Sequence, residues 1–391
     1  MLTIAFFHQG FLVQREVIDA LRRLDGVRVV VVDIADFPSE RQALRACEVL
    51  AENKSSILFT VNDWGLDFDG IVARHIGATA MVHVNWCVDD PFFMEVIHGH
   101  PIKPAPNRVD FVSNRAYVRP LRERGMDAHF LALASDPSLF RPTEAPVTYE
   151  RDLCFVGNSY RKQLDELCAF HEPFMESLAG FMSALLTRHE NDATLDLEAH
   201  VQKKIDALRL PLSLPRRKAV FLVKHFVSFL FRKRIVCSLM NHYPGFTVFG
   251  DEGWLIDLPR EKVSSSVGYY RNLNETYGRT KINVDINRAV ITEGLTQRLF
   301  DCGAGAHFVI TSNKPVIEEF FVTSGDGREA VVFNGETHLR ELIDYFLTHE
   351  GERRAIAQRA HARVLREHTY DHRVRSILAL LSEKIGSRSR V

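Results

Sequence analysis

The chain of 391 residues is long enough for two domains with separate cores. Its 49 basic and 50 acidic residues leave a formal charge of -1, so it has no long-range attraction for nucleic acid or another polyanion. The cysteines at 47, 87, 154, 168, 237 and 302 form neither a C-x-x-C nor a paired Cys/His ligand spacing, which argues against a structural zinc and for a reducing compartment.

Met1 leads directly into a strand-like run with no basic leader or cleavage site, the beginning expected of a cytoplasmic chain. Up to about residue 145, strand-like runs alternate with helical text. The strands are expected at Thr3 to Phe7, Val27 to Asp33, Ile57 to Val61, Ala80 to Trp86 and Arg108 to Ser113, with helices such as Gln14 to Leu24 and Glu40 to Asn53 between them. This alternation predicts a parallel sheet covered on both faces. Pro137, Pro142 and Pro146 then punctuate a connection that suits a linker.

After a strand at Leu153 to Val156 comes a long helical region, about 162 to 243, broken near Pro211 and Pro215. It reads as an insertion in a second sheet domain whose alternation resumes at Phe246 to Gly250. Within the insertion, Ala219 to Phe231 is apolar but interrupted by Lys224, and it is shorter than the roughly 20 residues of a spanning helix. Its flanks, Arg216 to Lys218 and Arg232 to Arg234, allow two readings: a buried helix with basic ends, or an interfacial helix giving 211 to 234 a peripheral membrane contact. Helical text from Glu336 to Leu347 and from Glu352 onward closes the chain.

Doubly wound sheets bind ligands beyond the carboxyl ends of their strands, so the turns after strands hold the candidates. Gly157-Asn-Ser-Tyr-Arg161-Lys162 is one such turn, and its two bases would either neutralise a diphosphate or stand in solvent. Phe249-Gly250-Asp-Glu-Gly-Trp254 is another, where Gly250 would admit a nucleobase and Trp254 would stack on it or simply pack. Asp89 and Asp90 follow the strand ending at Trp86 and read either as acceptor-orienting or general-base groups or as an Asx turn before Pro91. His98-Gly-His100 lacks a placed third ligand and is not read as a metal site.

The densest signal runs from Asn283 to Phe320. A strand pattern (Ile282, Val284, Ile286) leads to Thr292-Glu293-Gly294, and Leu295, Leu299 and Phe300 then follow helical spacing. That junction predicts a helix N-terminus, whose free amides and dipole suit a diphosphate. Glu293 and Asp301 bracket seven residues; on one continuous helix they would lie roughly 12 Å apart along the axis and could not meet one atom. With Glu293 in the loop and Asp301 inside the helix, one carboxylate would meet sugar hydroxyls and the other a ribose diol, with Arg298 as the cation between them.

Lys281-Ile-Asn283-Val-Asp-Ile, Arg298-Leu-Phe-Asp301-Cys-Gly-Ala-Gly-Ala-His-Phe-Val-Ile310, Glu318-Glu-Phe-Phe and Arg366-Glu-His-Thr-Tyr370-Asp-His-Arg373 together resemble the CgeB-like (spore-maturation type) glycosyltransferases over roughly residues 230 to 380. Tyr270 belongs to the same family-like text, and His8-Gln-Gly10 resembles a loop lining the acceptor side of such enzymes. The resemblance implies two facing Rossmann-like doubly wound domains, the GT-B arrangement, with the helical insertion in the second. The domains are expected at 1 to 145 and 146 to 375, with 376 to 391 as a C-terminal helix and tail that crosses back onto the first.

It also implies a metal-independent transfer of sugar from a nucleotide-diphosphate donor to a glycan, glycolipid or protein acceptor in surface glycan or protein glycosylation. The donor sugar is a substrate, and no further cofactor is expected. His8, Asp89 and Asp90 would serve the acceptor; Gly157, Arg161, Lys162, Gly250, Trp254, Tyr270, Glu293, Gly294, Arg298 and Asp301 would hold the donor. Retention of configuration follows from likeness to acid-x7-acid transferases, in which Asp301 stands where Glu is more common. The rival reading is a non-catalytic sugar- or nucleotide-binding assembly factor of a surface layer on the same fold.

Overall fold

The computed structural model describes residues 1 to 143, 149 to 192, 195 to 208 and 214 to 388. The chain divides into two compact units, Met1–Ser135 with Glu367–Val391, and Asp136–Arg366. The sequence reading put these joins at 145 and 375; Pro146 and the residues around Pro211 lie outside the described residues.

The first unit holds six strands: β1 (Leu2–His8), β2 (Val27–Asp33), β3 (Ile57–Val61), β4 (Val82–Cys87), β5 (Arg108–Val112) and β6 (Ala128–Phe130). They pair in the order β2-β1-β3-β4-β5-β6, each pair parallel. Central strands such as Ile-Leu-Phe-Thr-Val of β3 are buried along their whole length, as a sheet with helices on both faces requires. The order reverses between β1 and β3, which marks the ligand-binding edge of such a sheet.

The last helix, Tyr370–Arg388, completes this unit. Tyr370, Val374, Ile377 and Leu381 join its core, and Tyr370 packs edge-on against Trp86 at 5.9 Å. Arg373 donates to the carbonyls of Ala132 and Leu133 at 2.8 and 2.9 Å. The helical text expected to run unbroken from Glu352 is two helices, Glu350–Glu367 and Tyr370–Arg388. Thr369 interrupts it by bridging to Ser135, and its hydroxyl bonds the His372 ring at 2.7 Å.

The second unit has β7 (Arg151–Val156), β8 (Phe246–Gly250), β9 (Val263–Ser265), β10 (Thr280–Asp285), β11 (Val309–Ser312) and β12 (Val331–Phe333). Their order, β12-β11-β10-β7-β8-β9, all parallel, reverses between β7 and β10. Among the described residues, five α-helices between Arg161 and His242 form the insertion between β7 and β8. The longest, Arg216–His242, buries Val220, Phe221, Leu222, Val223, Val227, Phe229 and Phe231, so the apolar run fills core rather than facing outward. Among the described residues, no helix is long and apolar enough to cross a membrane. The helix expected to begin near Thr292 to Gly294 starts instead at Gln297, because the Thr296 hydroxyl reaches back to the Asp285 carboxylate at 2.6 Å.

Candidate functional site

At the reversal of the second sheet, β7 ends at Val156 and β10 at Asp285. Asp285 is fully buried and accepts from the hydroxyls of Thr296 (2.6 Å) and Thr311 (2.9 Å) and from the Arg298 guanidinium. Arg298 also donates to the Val156 carbonyl and lies over the Phe155 ring at 5.2 Å. One cation therefore ties the ends of the two switch-point strands together, and its charge is matched by the carboxylate it holds.

Gly157, Gly250 and Trp254 close around the same place. The Trp254 indole, fully buried, donates to the Gly157 carbonyl at 2.8 Å. A Cβ on Gly250 would stand 2.5 Å from that carbonyl and 2.7 Å from the indole, so glycine is needed for this approach of protein to protein. Arg161 and Lys162 each face an acid one turn ahead on their own helix, Asp165 at 2.7 Å and Glu166 at 4.0 Å. Asp301 is buried and accepts from the Tyr269 hydroxyl at 3.1 Å, while Tyr270 packs edge-on against Tyr269. Glu293 is exposed and Gly294 buried in the loop before the helix Gln297–Ala304, whose first turn has no side-chain cap. The structure thus joins Gly157, Gly250, Trp254 and Arg298 in one cluster and Tyr270 and Asp301, through Tyr269, in another.

Three cations not singled out by the sequence reading complete this edge. Arg232, 7 % exposed, reaches from the long helix to the carbonyls of Asn158 (3.3 Å) and Ile286 (3.1 Å), spanning the loops after β7 and β10. Its Nε is buried without a partner, and it meets no carboxylate among the described residues. Burial, reinforced by Arg288 and Arg298, pulls it down to about 10 against the opposing pull of Tyr160 and Asp285. Arg232 and Arg288 both lie on the Tyr160 ring, at 5.6 and 5.5 Å.

Lys314, two residues past β11, is 1 % exposed. Among the described residues its ammonium makes no hydrogen bond or ion pair, and Asp285 acts on it only through space. Burial brings it down to about 8. With Asp285 matched by Arg298, the positive charge of Arg232 and Lys314 is uncompensated. Such an edge favours an anion that supplies the missing charge.

On the first unit, His8 ends β1 and its Nδ1 lies 2.7 Å from Asp33. Asp89 is exposed and accepts from the Asn62 amide at 2.9 Å. Asp90 accepts from the Phe92 backbone at 2.9 Å, an Asx turn around Pro91. His8 and Asp89 sit at the ends of β1 and β4, with β3 between them. His100 stacks on Phe68 at 3.8 Å.

Residues 226–379 match the family model described as glycosyl transferase-like, nearly the stretch over which the sequence resembles a glycosyltransferase family. No curated protein sequence matches the chain. Among solved structures, the chain is similar to a glycosyltransferase from Rickettsia africae ESF-5, with 12% identity, 98% of each chain covered and a TM-score of 0.51. It is also similar to Anabaena HepE solved with UDP and glucose, with 9% identity, 98% of this chain and 100% of that one covered, and a TM-score of 0.57. HepE solved with UDP-glucose gives 10% identity over the same coverage and a TM-score of 0.56. At these identities the likeness is one of fold: two Rossmann-like domains of the kind that build GT-B glycosyltransferases.

Proposed function

We propose that the chain is a glycosyltransferase that takes a sugar from a nucleotide-diphosphate donor seated at the carboxyl edge of the second sheet. The observation that carries this reading is the uncompensated pair Arg232 and Lys314 beside the switch point of β7 and β10. A diphosphate is the group such an edge fits, and it is also the leaving group whose growing charge the enzyme must stabilise. The uncapped first turn of Gln297–Ala304 adds backbone donors of the same sign. The family-model match and the UDP-glucose complex of the HepE neighbour agree with a nucleotide-sugar donor.

In this reading Arg298 is a brace that fixes the edge, while Arg232 and Lys314 take the phosphates. Glu293, in the loop before the helix Gln297–Ala304, and Asp301, buried within it on Tyr269, belong to the donor side, and His8, Asp89 and Asp90 to the acceptor side. Charge neutralisation by side chains and helix amides is the basis for a metal-independent reaction, and the acid-x7-acid spacing is the basis for retention, which NMR of the product anomer tests. A CgeB-like place in surface glycosylation is the finer reading that the sequence resemblance supports.

The test is a thermal-shift screen against UDP-, GDP-, dTDP- and CMP-linked sugars, on wild type and Lys314→Met. A donor should raise the melting temperature of wild type, since it binds the native state alone. Lys314→Met should fold at least as well, because a buried charge is removed, yet bind that donor about 10- to 100-fold more weakly. If none of the donors shifts wild type, the reading fails.

A further inference from the structure

The loops at the carboxyl edge of the first sheet carry an unusual surface. Phe11 follows β1, Phe37 follows β2, Trp64 and Phe68 follow β3, and Phe93 follows β4. Phe11, Phe37, Phe68 and Phe93 are 38%, 42%, 46% and 39% exposed. They form ordered plates: Phe11 lies against Trp64 with ring centroids 4.2 Å apart, and Phe68 is stacked between Phe37 (5.2 Å) and His100 (3.8 Å).

The framework beneath holds these plates in place. The buried Gln14 side chain accepts from the Gln9 and Phe11 amides at 2.9 and 3.3 Å, fixing the first loop. After β3, Asn62 and Asp63 take left-handed conformations with φ of 56° and 58°, which turns the chain sharply before Trp64. That turn is anchored by Arg108 donating to the Asp63 carboxylate at 2.7 Å and by the Val88 backbone N–H donating to the Asn62 side-chain oxygen at 2.8 Å. Gly65 presses so close that a Cβ there would stand 2.7 Å from Phe7. Strain held by a largely buried ion pair, under a half-buried tryptophan and beside exposed phenylalanines, is a feature of binding surfaces rather than of packing.

Charge selects the occupant. The four segments 8 to 13, 33 to 39, 62 to 70 and 88 to 100 contain eight Asp or Glu residues and no Lys or Arg. Arg108 matches Asp63 at 2.7 Å and Arg124 matches Glu95 at 2.6 Å, and the charge left on these segments is still negative, which disfavours phosphate, sulfate, uronate and anionic lipid headgroups. Aromatic plates cover the apolar C–H face of a pyranose ring, and carboxylates beside them accept hydrogen bonds from its hydroxyls. We infer that this edge binds an acceptor that is a saccharide free of anionic groups, stacked on the Phe11–Trp64 and Phe37–Phe68–His100 plates. The inference rests on the glycosyltransferase reading in taking this edge as the acceptor side.

The experiment uses the full chain, fluorescently labelled, on an array of neutral and N-acetylated, sulfated, and uronate-bearing oligosaccharides, with phosphatidylglycerol vesicles alongside. Binding should be confined to the neutral and N-acetylated glycans. It should weaken about tenfold in Trp64→Ala and in Phe68→Ala, and survive in Trp64→Phe, which keeps a plate. Capture by sulfated or uronate-bearing glycans or by the vesicles would overturn the inference, as would neutral-glycan binding indifferent to both alanine variants. No retention of any glycan by a chain that nucleotide sugars do stabilise would also overturn it, while leaving the donor site standing. If nucleotide sugars fail as well, both readings fall.

Discussion

Replacing Arg298 by alanine separates a brace from a ligand contact. Asp285 is fully buried and would keep only the Thr296 and Thr311 hydroxyls, while the Val156 carbonyl would lose a donor. Removing one partner of a buried ion pair costs about 3–5 kcal/mol, most of it from the charge left behind. In a unit running Asp136–Arg366, each kcal/mol moves the midpoint by about 2–4 °C, so the melting temperature should fall by about 6–20 °C. Differential scanning fluorimetry without ligand reads this directly. The double variant Arg298→Met, Asp285→Asn removes both charges and should recover much of the loss, whereas Asp285→Asn alone should leave the guanidinium short of its anion. The reasoning is refuted if Arg298→Ala melts within about 2 °C of wild type and yet no longer responds to any nucleotide sugar. Arg298 would then be a donor ligand, the role its position after the acid at 293 suggests from sequence alone.

Lys314 sets a pH dependence with opposite signs in two assays. Its folded value, about 8, lies below the ordinary 10.5, so between these values the unfolded chain binds the extra proton and the ligand-free fold gains stability as pH rises. Donor affinity should do the reverse, weakening by about tenfold per pH unit above 8 as the ammonium is lost; urea unfolding without ligand reads the first trend and titration calorimetry of UDP the second, and both should flatten in Lys314→Met. Gly250→Ala should cost about 1–3 kcal/mol in urea unfolding, because the new methyl meets a backbone carbonyl and a fully buried indole with no room to yield; a midpoint equal to wild type would refute the close approach. His189 and His307, both held down to about 4 by burial, and His83, held to about 3, contribute stability that is present above pH 6.5 and lost as pH falls toward those values. Each can add a slope of up to about 1.4 kcal/mol per pH unit, so denaturation midpoints should drop between pH 6.5 and 4.5, less steeply in His307→Gln.

Strands of five to seven residues with long apolar runs were the most legible part of the chain, whether central or at a sheet edge. β2, β3 and β8 have the bounds expected from sequence, because runs such as Val-Arg-Val-Val-Val-Val-Asp are apolar enough to define a strand without help from neighbours. β6, β9 and β12 have three residues each, too few to show a period, and their pairing is decided by the neighbouring strand. The break at Thr369 comes from a bridge to Ser135, more than 200 residues away, which no local pattern contains. Of the cations at the switch point, Arg288 and Lys314 follow β10 and β11 by three and two residues, so the turn-after-strand rule could have found them. Arg232 carries no such mark. It stands in a basic run on a helix, and only the packing of that helix turns it onto the carbonyls of Asn158 and Ile286.

The near-zero net charge conceals a division of labour between the two sheets. At the carboxyl edge of the second, Arg232 and Lys314 stand in excess of the one carboxylate they feel, Asp285, which Arg298 already matches. At the same edge of the first sheet the segments after β1, β2, β3 and β4 hold eight acids and no Lys or Arg of their own, with Asp63 and Glu95 matched by Arg108 and Arg124 and with Arg115 in the loop after β5. A transfer that expels a diphosphate needs positive charge where the leaving group departs and gains nothing from it where the acceptor sits, unless the acceptor is itself an anion. Under the proposed acceptor reading, a phosphorylated or uronate-bearing acceptor would call for bases in the segments after β1 to β4; there stand Phe11, Trp64 and Phe68, with carboxylates in the same segments. Under the proposed reading, the opposite signs of the two edges would also oppose misbinding, since an anionic nucleotide is favoured at the second sheet and disfavoured at the first.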